Sequence, residues 1–165
     1  MGSHLMKKDD IETVGLGIHF DDLPVGRRFK TVGRTVTESD IVTFINTIGM
    51  TEVLFTNIEF LKHESHIKGR VAPGSLVFCL AEGLLTQATM QGTGLAFLHM
   101  ELDIKGPVFA NDTIHVECEV IESRRSKSQS NRGLVRTRNQ IFKQDGTLVQ
   151  QYTPLRMVKA RDFGG

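Results

Sequence analysis

Gly69-Arg70-Val71-Ala72-Pro73-Gly74-Ser75 runs straight into Leu76-Val77-Phe78-Cys79-Leu80-Ala81-Glu82-Gly83-Leu84-Leu85, and the second stretch is apolar on nearly every side. A helix without a polar face needs cover all round. Pro73 fits the first helical turn, where a missing N–H costs nothing, and Gly74 leaves the unpaired backbone N–H groups that follow open to a ligand. The sequence therefore predicts a buried helix over about 73–91, ended by Gly92 and Gly94, with a positive, donor-rich mouth at Gly74 and Ser75. Such a mouth suits an anion or a carbonyl that must be polarised.

Beyond Gly94 the period drops to two. Ala96, Leu98, Met100, Leu102 and Ile104 alternate with Leu95, Phe97, His99, Glu101 and Asp103; Ile114, Val116, Cys118 and Val120 alternate with His115, Glu117 and Glu119. Gly106-Pro107 and Asn111-Asp112 separate these strands, and Lys143-Gln144-Asp145-Gly146 turns a hairpin between 134–142 and 147–158. Upstream, 27–36 reads as a first strand. Thr37-Glu38-Ser39-Asp40 offers an N-cap with an acid three residues on, and Ile41, Phe44, Ile45 and Ile48 follow at helical spacing as far as Gly49. Residues 50–68 read as irregular or short-helical. One apolar helix followed by four or more antiparallel strands is an α+β arrangement: a single hot-dog fold, with a curved antiparallel sheet wrapped around a long central helix. Its open edge predicts a homodimer or an assembly of dimers, with sheets joined edge to edge.

Composition excludes several classes of function. The chain has 165 residues, 24% of them charged, with a net charge of +1, so neither nucleic acid nor a membrane surface is an expected partner. No Trp and one Tyr leave no platform for stacking bases. Glu82 and Gln87 interrupt the one long apolar run, against a membrane span. Cys79 and Cys118 both read as small core residues rather than a disulfide, which points to a reducing, cytoplasmic setting. Residues 1–6 look like a cloning remnant, 7–20 like an N-terminal extension, 21–160 like the domain, and 161–165 like a tail.

Four runs carry a family resemblance: Asp22-Leu23-Pro24-Val25-Gly26, Gly33 to Ile41, Gly69 to Gly74, and Gly106 to Thr113. Over about residues 20–160 the chain resembles the MaoC-like dehydratases and (R)-specific enoyl-CoA hydratases of the hot-dog superfamily. The resemblance implies acyl thioesters on CoA or a carrier protein as substrate or ligand, no separate cofactor or metal, and hydration or dehydration at the β-carbon. Hydration needs a base for water, an acid for the α-carbon and donors for the enolate oxygen. In the family an Asp and a His five residues later hold that water; here the corresponding positions are Met50 and Phe55, which cannot move a proton.

Three readings follow from that replacement. Glu52, two residues from the usual acid, takes over as base; or the protein binds acyl thioesters without hydrating them; or His63, Glu64 or His66 acts, or the reaction differs, as in thioester hydrolysis. Glu52 in a polar loop is equally well a solvated acid or a cap, and His63 and His66 lack a third ligand for a metal. Met50, Leu54 and Phe55 would line the acyl pocket. Gly74 and Ser75 would hold the thioester carbonyl. Arg124, Arg125, Lys127 and Arg132, clustered on a polar loop, would serve the CoA phosphates or simply form a solvated hairpin.

Overall fold

The computed structural model describes residues 12–164, so the expected cloning remnant and residues 7–11 of the extension lie outside the described residues. Thr37 caps α1 (Glu38–Ile48): its hydroxyl accepts from the Asp40 N–H while the Asp40 carboxylate accepts from the Thr37 N–H, and Gly49 ends the helix at φ 73°. Two short helices, α2 (Val53–Thr56) and α3 (Ile58–His63), fill the stretch read as short-helical. Then comes α4 (Gly74–Thr89), which begins one residue later than expected because Pro73 is its N-cap rather than its first helical residue.

The eight strands form one antiparallel sheet. The expected first strand is split into β1 (Arg28–Lys30) and β2 (Arg34–Thr35), both on β5 (Thr113–Arg125), because the Thr31 hydroxyl takes the Val116 N–H and pulls the ladder out of line. The strand read over 95–104 is also split, into β3 (Gly94–His99) and β4 (Leu102–Ile104). Beside β6 (Arg132–Lys143), the second arm of the hairpin bends at Thr153-Pro154 into β7 (Leu148–Tyr152) and β8 (Leu155–Lys159). β4 pairs with β7 and β3 with β8, so the sheet runs from the β3/β4 edge through β7/β8, β6 and β5 to β1/β2.

The alternation in β5 holds: Ile114, Val116 and Cys118 are buried against α4 and its neighbours, and Val120 is buried in a second cluster with Leu23, Val135 and Val158. Leu76, Val77, Leu80, Leu84 and Leu85 of α4 complete the layer, each contributing roughly 1.5–3 kcal/mol before chain entropy is counted. Three expectations need correcting. α4 is not covered all round, since Ser75, Cys79, Gly83 and Thr86, four residues or fewer apart, form an exposed outer stripe. Cys79 is thus exposed rather than core, whereas Cys118 is buried, with its thiol pushed up to about 12 by desolvation. β3 buries neither face, for it is an edge strand with Phe97 and Leu98 46% and 48% exposed.

The N-terminal extension closes the far end of α4. Gly17 and Ile18 donate to the carbonyls of Gln91 and Thr89, and a Cβ on Gly17 would meet the Thr89 carbonyl oxygen at 2.3 Å, so no larger residue fits.

Candidate functional site

The mouth of α4 is built by two loops that pair with each other. Val71 bridges Phe109, Ala72 N–H donates to the Val108 carbonyl at 2.8 Å, and Ala110 N–H donates to that of Arg70 at 2.9 Å. Asp112 staples the second loop. Its carboxylate accepts from the Phe109 N–H and the Gln144 amide, each at 2.9 Å, and lies 3.4 Å from the Lys143 ammonium. Partial burial would raise its pKa, but these donors outweigh burial and hold it below the usual carboxylate range. On the first loop, Arg70 reaches Glu38 at 2.7 Å and also donates to the Phe55 carbonyl, tying the start of α1 and the helix α2 to the chain entering α4.

Between these loops, α2, β4 and β7 lies a cavity of about 230 Å³ at the start of α4. Leu54, Phe55, Val71, Ala72, Pro73, Gly74, Val77, Ile104, Pro107 and Val108 make most of its wall. Gly74 matters here for space. A Cβ would come within 2.6 Å of the Ile104 δ-methyl and 3.5 Å of the Gln150 amide nitrogen, so alanine would project between the two. No lining residue is titratable, and Gln150 is the sole polar side chain among them. Sequence reading missed Gln150. The signal was its parity with Tyr152 two residues on, which turns both toward α4.

A profile of the FAS1-like dehydratase domain region matches residues 24–152. The chain belongs to that family, within the MaoC-like hot-dog proteins. A MaoC-like dehydratase from Rhodospirillum rubrum shares 26% identity, superposes with a TM-score of 0.77, and is matched over 89% of this chain and all of its own. A monoamine oxidase regulatory protein from Archaeoglobus fulgidus shares 28% identity at a TM-score of 0.78, over 87% of this chain and 95% of that one. An (R)-hydratase from Pseudomonas aeruginosa, 24% identical over 88% of each chain at a TM-score of 0.72, has the same fold. A search of curated protein sequences finds no match.

The cavity of this MaoC-like protein gathers some of the expected site residues and leaves others outside. Leu54, Phe55 and Gly74 line it; Met50 is half-buried against the core beside it. Ser75 is exposed and outside the lining. Glu52 is exposed as the N-cap of α2, where its backbone carbonyl, not its carboxylate, accepts from Phe55 and Thr56. His63 is exposed, 3.4 Å from Glu59, and His66 is exposed; neither lines the cavity. Within one subunit, none of Glu52, His63 and His66 lines the cavity.

The expected phosphate-binding residues lie at the opposite end of α4. Arg132 pairs with Lys159 across the sheet, and Lys159 N–H donates to the Thr93 carbonyl just beyond the helix, so the hairpin lies past the far end of a helix about 24 Å long. Arg124 is ion-paired with Glu122 at 3.0 Å and Arg125 with Asp21 at 2.5 Å; the Arg132 guanidinium stacks on Phe163, and Lys127 is exposed.

Two turns into α4 the chemistry is different. Glu82 accepts from the Tyr152 hydroxyl at 2.6 Å and from Arg156 Nη2 at 2.5 and 2.7 Å. The Arg156 and Glu82 side chains are only 8% and 16% exposed. Burial first, then the Glu82 charge, drives the Tyr152 phenol far above its ordinary value, so it stays a donor. A larger cavity, about 460 Å³, lies behind α3 between Leu61, Lys68 and Arg70. The smaller one is the candidate site because it meets the open end of a 16-residue helix.

Proposed function

We propose that this MaoC-like protein holds an acyl thioester, on CoA or an acyl carrier protein, in the cavity at the start of α4. The thioester carbonyl takes the backbone amides of Gly74 and Ser75, and the acyl group lies among Leu54, Phe55 and Val77. What carries the reading is the contrast within the lining: a free helix end suited to a carbonyl oxygen, and no group able to donate or remove a proton. One subunit therefore binds the thioester without hydrating it.

A second hot-dog domain completes the unit. Among the described residues β3 pairs on one side only, with β8, and carries exposed Phe97 and Leu98, and the outer stripe of α4 lies open beside it. A two-fold axis through this edge pairs β3 with its copy in antiparallel fashion, which carries the hairpin of Arg124, Arg125, Lys127 and Arg132 toward the partner's α4 mouth, where the CoA phosphates would lie. Similar architectures pair two such domains: a Mycobacterium tuberculosis protein described as a double hot-dog fold and the HadBC dehydratase complex share this fold.

Calorimetry with butyryl-CoA and crotonyl-CoA, run beside a crotonyl-CoA hydration assay, tests the reading. Binding without turnover is expected. Turnover that disappears in Glu52→Gln, His63→Ala or His66→Ala would assign catalysis to that residue; failure to bind any thioester would sink the reading. Thiol labelling tests the assembly, because Cys79 should react quickly in dilute monomer and be protected when the second copy covers α4.

A further inference from the structure

We infer that Gln150 is a positioning residue for the thioester carbonyl, a side-chain donor set beside the backbone amides at the start of α4. The inference rests on the thioester reading above and adds to it the group that fixes the carbonyl.

Gln150 sits on β7 and is 1% exposed. Its Nε2 donates to the Gly74 carbonyl oxygen at 2.8 Å. That bond fixes which end of the amide faces the helix, since a carbonyl can only accept. Nε2 carries two hydrogens, and among the described residues the second has no protein acceptor. The nitrogen also lies 3.5 Å from the point where a Cβ on Gly74 would stand, a point that the Ile104 δ-methyl crowds at 2.6 Å, and both side chains line the cavity. A carbonyl oxygen entering the cavity alongside that methyl meets both the start of α4 and the free hydrogen of Nε2.

The other half of the amide supports the same conclusion. Gln150 Oε1 is buried and accepts no hydrogen bond from the protein. Leaving a buried acceptor unsatisfied is costly, and of Thr137, Asn139 and Gln150, the described residues with an unpaired buried polar side-chain atom, Gln150 is the one that lines the cavity. A donor held in place before the ligand arrives needs no reorganisation to act on the carbonyl, so its effect falls on thioesters and not on ligands lacking that oxygen.

The test compares butyryl-CoA with S-butyl-CoA, a thioether in which the carbonyl oxygen is missing. Wild type should bind the thioester more tightly, and Gln150→Leu should lose about five- to tenfold on butyryl-CoA while keeping its affinity for S-butyl-CoA. Equal weakening of both ligands would make Gln150 a packing residue and overturn the inference. Binding of neither by wild type would instead remove the thioester reading itself. If the leucine variant fails to fold, NMR of the wild-type Gln150 side-chain amide decides: its resonances should move with butyryl-CoA and stay with S-butyl-CoA, and identical shifts with both would contradict the assignment.

Discussion

The two halves of α4 rest on opposite chemistry. At its start the helix faces a cavity with no titratable wall residue, whereas two turns later Glu82, Arg156 and Tyr152 form a buried charged cluster. The difference separates two tasks along one element. The charged cluster locks the helix to β7 and β8, so its first turn can be left open, with Gly74 bare and Gln150 only half satisfied.

Breaking the lock should have the largest effect. Arg156→Met leaves a buried carboxylate unpaired and is expected to cost about 3–5 kcal/mol in urea unfolding, while Glu82→Leu combined with Arg156→Met recovers most of it. Recovery would show that pairing, rather than charge as such, is required. Tyr152→Phe removes one donor to Glu82 and should cost about 1.5–3 kcal/mol by the same measurement. At the open end the expected effect moves from stability to binding. Gly74→Ala should need only a shift of the Ile104 δ-methyl, leaving the unfolding midpoint nearly unchanged, yet lower butyryl-CoA affinity about tenfold by narrowing the cavity that both residues line.

The smallest effect belongs to the loop that frames the cavity. Asp112→Asn should cost about 1 kcal/mol at pH 7. Because the carboxyl of Asp112 titrates below the ordinary range in the folded chain, its stabilisation is complete above the unfolded value of about 4 and is lost as pH falls through the lower folded value. The wild-type and variant unfolding curves should therefore converge below about pH 4.

Much of this was legible beforehand. Thr37, Asp40 and Gly49 set both ends of α1 through local rules, and the alternation that buries Ile114, Val116 and Cys118 placed β5 under the helix. The outer stripe of α4 was not legible, because Cys79 and Gly83 are as apolar or as small as core residues, and only the sheet's position tells which side of the helix it leaves bare. The kinks at Thr31 and at Thr153-Pro154 depend on a side-chain hydrogen bond and on the pairing of β7 with β4 and of β8 with β3. Gln150 and Arg156 escaped notice because each reads as an ordinary polar residue in a hairpin, and their roles arise only when β7 and β8 meet α4.

A crystal structure with butyryl-CoA bound measures the central claim most directly. The account predicts the thioester oxygen within hydrogen-bonding distance of the Gly74 or Ser75 amide, with the acyl group against Leu54 and Phe55. A thioester lodged instead in the larger cavity beside Lys68 and Arg70, with the start of α4 untouched, would contradict it.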